Sequence, residues 1–317
     1  MDLKAASGFE QQISLRQLRY VVALGSEASF TRAAVACGVS QPSLSQAIRQ
    51  LEEALGAPLV ERGARAFLTP LGREVAERAR RILLEVRDLG ELVGAGAGAG
   101  DAALLGTIRL GVTPTIGAYL LPRLVARLHQ QFHDLRVHVR ENPPAALVEG
   151  LAAGTHDVIL AQLPLQAPGA QVERLFREPL HLAMAADHPL ASRDMIGRED
   201  LAGQDLLTLQ RGYRLAEQTI AIAEEAGARV REEYEGTSLD AIRQMAGMGM
   251  GLAVLPELYV RQEIRTGDDV VARPFRGGRH YREMGLLWRS GVARAAAYKR
   301  LAQELVACVE DIGISYR

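Results

Sequence analysis

Along residues 31–52 apolar positions recur at the spacing of two short helices broken at Gly38. Ala33, Ala34 and Cys37 precede the break and Val39, Leu44, Ile48 and Leu51 follow it, so all seven can share one buried stripe. The remaining positions Gln41, Ser43, Ser45, Gln46 and Arg49 form an outer face able to contact bases and phosphates. Gly38 gives a tight interhelical turn its permissive backbone, Ser40 can cap the second helix, and Pro42 sits in that helix's first turn. A helix starting at Gln41 aims its N-terminal amides at a phosphate. The pattern predicts a helix-turn-helix with Thr31 and Arg32 at its entry, although an ordinary helical hairpin has the same periodicity.

The next segments tilt that balance. Residues 59–70 read as a small hairpin turning at Gly63 and displaying Arg62 and Arg65, a wing. Between Ser14 and Arg73 seven arginines face four glutamates, a net charge of +3 in a chain whose total is −1. The positive excess lies where phosphates would be met. From Arg73 to Val93 the apolar residues Val75, Ala79, Ile82, Val86, Leu89 and Val93 alternate at steps of four and three, a coiled-coil seam for dimerisation. The competing reading packs that stripe on its own domain. A dimer would set two recognition helices on successive turns of the major groove.

A Gly/Ala run then interrupts the pattern, and beyond it short apolar strands alternate with helical segments. Strands are expected at Ile108–Val112, Val137–Val139, Val158–Ala161, Leu180–Ala185, Leu206–Thr208, Val230–Tyr234, Leu252–Leu255 and Tyr281–Trp288. Helices are expected at Leu120–Phe132, Pro144–Leu151, Leu215–Ala226, Leu239–Met248 and Ala295–Glu310. The fold class is therefore mixed: an N-terminal α winged helix-turn-helix with a long linker helix, then a two-lobed α/β domain with a cleft. The expected boundaries are a tail at 1–13, the winged domain at 14–72, the linker helix at 73–93 and a hinge at 94–104. The two-lobed domain follows at 105–317, with one lobe at about 105–178 and 277–317 and the other at about 179–276.

In such sheets ligands gather at the carboxyl ends of strands. Here those ends hold Thr113, Thr115, Gln162, Tyr213, Arg214, Thr237 and Ser238. Hydroxyls beside helix N-termini suit a carboxylate, which Arg214 can bind bidentately; the plain alternative is that the Thr and Ser residues only cap helices.

Composition narrows the function classes. The 317 residues, 48% apolar and 24% charged, suit two or three soluble modules. No apolar run reaches membrane-spanning length and the N-terminus lacks a signal-peptide core, so a cytoplasmic protein without membrane partners is expected. Two distant cysteines, Cys37 and Cys308, give neither a disulfide framework nor a CxxC metal site, and burial is expected for both. His129 and His133 share a helical face without an intervening Glu, and no nucleophile elbow or phosphate loop occurs. No enzyme, metal or cofactor is expected. Trp288 and the group Met245, Met248 and Met250 read as core, whereas Arg276, Arg279 and Arg282 read as an exposed basic patch.

The run Phe30-Thr-Arg-Ala-Ala, with Val39-Ser-Gln-Pro-Ser-Leu-Ser, Ile48-Arg-Gln-Leu-Glu and Leu68-Thr-Pro-Leu-Gly, resembles the winged helix-turn-helix of the LysR-type transcriptional regulators. Residues 105–317 resemble the periplasmic-binding-protein-like effector domain of the same family. Within it the run from Gly111 to Pro122, with Leu128–Phe132, Glu224–Ala228 and Thr237–Leu239, is similar to the peroxide-sensing OxyR branch. The resemblance implies that Gln41, Pro42, Ser45 and Gln46 meet the major groove of double-stranded promoter DNA, and that Arg62 meets the wing-side backbone or minor groove. It further implies a homodimer or homotetramer bending the promoter in response to a small-molecule effector, with RNA polymerase as a candidate further partner. Arg214 and Tyr213 stand where that branch has its reactive cysteine and the neighbouring histidine, Ala223 falls near its resolving cysteine, and Pro144 replaces one of two peroxide-contacting threonines, Thr115 matching the other. No OxyR-type disulfide switch is therefore expected, and a small anionic effector is. The alternatives are a ligand-independent regulator and a redox-responsive one using non-standard residues.

Overall fold

The computed structural model describes residues 13–61, 67–95, 104, 106–133, 135–231, 234, 236, 238–265, 267, 269–278 and 280–314. Arg62, Arg65, Thr237 and Arg279 lie outside the described residues, as do the tail at 1–12, most of the 94–104 segment and the side chains of Leu89 and Val93. The chain divides into two compact units, Met1–Val93 and Gly94–Arg317.

In the first unit α1 (Leu15–Glu27) opens with a capping box: Ser14 Oγ accepts from the Gln17 amide at 3.3 Å, and Gln17 Oε1 accepts from the Ser14 amide at 2.8 Å. Then come α2 (Phe30–Cys37) and α3 (Gln41–Leu55), separated by Gly38 at φ 68°, a left-handed conformation that closes α2. Leu18, Val21, Leu24, Ala33, Ala34, Leu44, Ile48 and Leu51 form the core, with Cys37 and Val39 packed against it half-buried. The stems of the expected wing meet at an antiparallel bridge between Val60 and Leu68. Helix α4 (Pro70–Ala95) starts three residues before the expected Arg73 because Thr69 Oγ1 accepts from the Gly72 amide at 2.9 Å while proline takes the first helical position.

The second unit runs β1 (Gly106–Val112), α5 (Pro114–Gln131), β2 (Leu135–Glu141), α6 (Pro144–Ala153), β3 (Val158–Leu163), β4 (Ala170–Ala185), β5 (Asp205–Leu207), α7 (Arg214–Ala226), β6 (Arg229–Val230), α8 (Leu239–Gly247), β7 (Leu252–Pro256), α9 (Glu257–Glu263), β8 (Val270–Pro274), β9 (Tyr281–Arg289) and α10 (Ala295–Asp311). The strands lie in the order β2-β1-β3-β9-β4-β7-β5-β6, with β8 paired to β4. β1 is parallel to β2 and β3, and β5 to β6 and β7, while β9 and β4 run antiparallel to their neighbours. β4 changes partners along its length: Ala170–Pro179 pairs with β9, and Leu180–Ala185 pairs with β7 and β8. One strand thus belongs to both lobes.

Three expectations need correction. Arg282 is fully buried rather than exposed, because it occupies an inward position of β9 against the carboxylate of Glu178. Met248 and Met250 are exposed, at 76% and 45%, since they leave α8 in a turn of positive-φ glycines; Met245 alone packs against the core. Of the strand expected at Val230–Tyr234, the described part is Arg229–Val230; Arg231 and Tyr234 are not in a strand, and residues 232 and 233 lie outside the described residues. Trp288 and Cys308 are buried as expected.

Candidate functional site

The first unit presents its candidate face on α2 and α3. Thr31, Arg32, Gln41, Pro42, Ser43, Gln46 and Arg49 are exposed and Ser45 is half-buried. Ser40 Oγ accepts from the Ser43 amide at 3.3 Å, which fixes the start of α3, and Thr31 Oγ1 donates to Gln41 Oε1 at 3.3 Å across the turn. Arg32 Nε lies 3.3 Å from Glu27 Oε2, so part of its charge is answered locally. The positive helix end, a Gln and two Ser hydroxyls therefore share one solvent face, a set of donors and acceptors fit for a polyanion with readable edges.

Glu52 has a role that periodicity did not reveal. Its Oε1 accepts from the amides of Leu59 and Val60 at 2.7 and 3.0 Å, tying α3 to the first stem of the wing. Gly72 sits tightly against that stem, since a Cβ there would stand 2.0 Å from the Leu59 carbonyl oxygen. On α4, Ala79 is buried and Val75 half-buried in this unit's own core, so those two positions are taken internally; Ile82 and Val86 stay exposed at 46% and 38%.

In the second unit five of the seven expected effector residues converge. Thr113, Thr115, Gln162, Tyr213 and Arg214 line one cavity of about 80 Å³, with Pro144, Pro164, Leu165, Gly212, Leu215 and Glu217 completing its wall. That volume is two or three waters' worth, about 30 Å³ each. It suits a ligand of only a few heavy atoms.

The hydroxyls differ in whether they cap a helix. Ser238 does cap, its Oγ accepting from the Ala241 amide at 3.4 Å, and it is not among the cavity's lining residues. Thr113 stands at the N-cap of α5 without making a cap bond, and its Oγ1 is buried without a partner. Arg214 Nη1 pairs with Glu217 Oε2 while its Nε is buried and unpartnered. An open hydroxyl and an open guanidinium N–H thus line the same cavity, and buried polar atoms of this kind ordinarily find a partner. Burial pushes the Tyr213 hydroxyl above its ordinary pKa, so it stays a neutral phenol.

Thr115 is engaged differently. Its Oγ1 and carbonyl oxygen accept from Arg282 Nη1 and Nη2 at 3.1 and 3.0 Å, and Arg282 Nε donates to Glu178 Oε2 at 2.7 Å. Gln162 on β3 donates to Gln218 Oε1 on α7 at 2.5 Å, and Gln218 donates to the Tyr281 carbonyl at 3.0 Å. This relay joins the two lobes beside the cavity. Gln218 was missed in the sequence; its one signal is a polar side chain on the apolar α7 stripe between Leu215 and Ile222.

Among the described residues no group of three or more His, Cys, Asp or Glu is placed to hold a metal ion, and no helix is long and apolar enough to cross a membrane. Cys37 and Cys308 are free thiols in different units, and burial raises the pKa of each.

Comparison with known proteins gives a consistent picture. The bacterial regulatory helix-turn-helix model of the lysR family matches residues 15–73, and the LysR substrate binding domain matches residues 101–308. The chain is 37% identical over 294 residues to the DNA-binding transcriptional dual regulator OxyR of Escherichia coli K12, covering 92% of this chain and 95% of that one. It is 36% identical over 306 residues to a probable hydrogen peroxide-inducible genes activator of Streptomyces viridosporus, covering 96% and 97%. A full-length cysteine-to-aspartate variant of OxyR from Pseudomonas aeruginosa superposes with a TM-score of 0.75 at 33% identity, over 93% of this chain and 98% of that one. A peroxide-bound cysteine-to-serine variant of OxyR from Corynebacterium glutamicum gives 0.63 at 29% identity, over 95% and 96%.

Proposed function

The chain belongs to the LysR family of bacterial transcriptional regulators, a DNA-binding regulator with an effector-binding domain, and from that premise we propose that its effector is a small anion held between the lobes. The observation that carries the proposal is the pairing of an open Thr113 hydroxyl with an open Arg214 N–H in one small cavity. A carboxylate entering there would accept from both and compete with Glu217 for the guanidinium. Because Gln162, Gln218 and Thr115 tie the same cavity to both lobes, a ligand favouring one lobe arrangement shifts the population of effector-domain states. Paired winged heads, in a homodimer or homotetramer joined along α4, would then meet promoter DNA at a different spacing and bend.

A second reading has its own support. The names of the relatives, hydrogen peroxide-inducible genes activators, attach peroxide to near-full-length relatives, and a cavity of about 80 Å³ admits that molecule. In this chain α7 starts with Arg214, and both cysteines are held as neutral thiols, which are poor nucleophiles toward peroxide. Peroxide would then act as a bound ligand without oxidising a cysteine pair.

The deciding experiment measures binding and bending of the chain's own upstream DNA with a panel of small carboxylates and, separately, with peroxide. The proposal expects a carboxylate-dependent change that Arg214→Ala abolishes. A response to peroxide alone, retained in Arg214→Ala, would overturn it. For the DNA face, Gln41→Ala or Ser45→Ala is expected to weaken specific binding more than non-specific binding, whereas Arg62→Ala weakens both and lowers the salt slope.

A further inference from the structure

The effector unit carries a second, larger concavity of about 490 Å³ that shares no residue with the cavity at Thr113. Its wall is Thr107 and Arg109 from β1, His138 and Arg140 from β2, and Thr155 and His156 from the turn after α6. The parallel register sets Arg109 opposite His138 and Gly111 opposite Arg140, so strand alternation sends all four β side chains to one sheet face. Among the described residues no carboxylate lines it.

The site is built as well as charged. His156 is only 3% exposed, and its Nδ1 is buried without a partner. Its ring occupies a slot made by two glycines: a Cβ at Gly150 would stand 2.4 Å from its Cδ2, and one at Gly111 would stand 3.0 Å away. Two of the carbonyls at the end of α6, which would repel an anion, are already answered. Gly150 O accepts from the Thr155 and His156 amides and from Thr155 Oγ1, and Leu151 O accepts from Arg289 Nη1. Asp157 is buried, receives the Arg109 amide at 2.8 Å, and lies 4.0 Å from Arg109 Nη1, so it positions that arginine and offsets part of its charge. The Arg140 charge also acts on the His156 ring, whose pKa is lowered by burial first and by Arg140 second.

We propose that this concavity is a binding site for a small phosphate monoester. Arg109, Arg140, the Thr107 hydroxyl, His138 and the unpartnered His156 ring, from three separate elements, surround one space, which matches an acceptor group with three oxygens and nearly two negative charges better than a planar carboxylate. The volume leaves room for the organic part of the ligand, since small-molecule sites span roughly 300–1,000 Å³. This site would report a metabolite distinct from the effector proposed above, and stands whether or not that proposal holds.

The test titrates the full chain, by calorimetry, with inorganic phosphate, a hexose phosphate, a nucleoside monophosphate and the unphosphorylated hexose. A monoester is expected to bind saturably with a Kd below about 1 mM. Arg140→Gln and His138→Gln, both exposed on β2, are each expected to weaken that binding about tenfold or more, Arg214→Ala to leave it unchanged, and the plain hexose not to bind. Tighter binding of one monoester than of inorganic phosphate would support the site and identify its organic half. Absence of saturable binding, binding indifferent to both β2 variants, loss in Arg214→Ala, or an effect of Arg140→Gln on duplex DNA affinity alone would each overturn the proposal.

Discussion

At the scale of single residues, the Glu178–Arg282 pair is the position where a small change should matter most. Both side chains are fully buried, and each has further partners: Glu178 Oε1 accepts from the Leu258 amide at 2.7 Å, and Arg282 holds both oxygens of Thr115. Removing one partner strands the other charge in the interior, so Glu178→Gln is expected to cost about 3–5 kcal/mol in urea unfolding of the effector unit. A loss below about 1 kcal/mol would mean the charge is relieved by water. His156 gives a pH signature of opposite chemistry. Its pKa lies below the ordinary 6.5 because burial and Arg140 disfavour the imidazolium. The unfolded chain therefore binds the proton first, so stability is full above 6.5 and falls as the pH drops toward the depressed folded value. His156→Gln should flatten that part of a stability profile measured between pH 7 and 5. Neither residue's surroundings were legible in sequence. Arg282 reads as one of three neighbouring arginines, and its counter-ion is 104 positions away.

At the scale of elements, periodicity carried most of the fold. The helices at α3, α7, α8 and α10 begin or end within a residue or two of their apolar stripes, because burial of one face is what both reports and stabilises them. Much of what escaped lacked such a stripe. The first ten residues of β4 alternate in burial only loosely and include Glu173, Arg174, Arg177 and Pro179, and α9 is seven residues long, too short to show a period. Of the candidate site, the strand-end rule found the Thr113–Arg214 cavity but not Gln218, which reaches it from the side of a helix. The junction of α4 with the wing is the element contact most open to attack. Gly72→Ala would drive a methyl group into the Leu59 carbonyl, and we expect a loss of about 1–3 kcal/mol in the winged unit with weaker DNA binding. Ligand titrations of the effector unit should stay unchanged.

At the scale of the whole molecule, oligomerisation and lobe architecture decide what can be transmitted. With Val75 and Ala79 occupied inside the winged unit, the proposed dimerisation seam would begin at Ile82. Ile82→Asp should therefore reduce dimerisation in sedimentation while leaving the thermal unfolding of the winged core within about 0.5 kcal/mol, as surface substitutions usually do. An unchanged association constant would assign the dimer contact elsewhere. The passage of β4 through both lobes reaches beyond biophysics to inheritance. Cutting the gene at the first passage between lobes divides a strand rather than a linker, and either fragment would carry an unpaired edge prone to aggregation. Recombination at that crossing would break the strand, which favours exchange of this effector domain as an undivided piece over exchange of a single lobe.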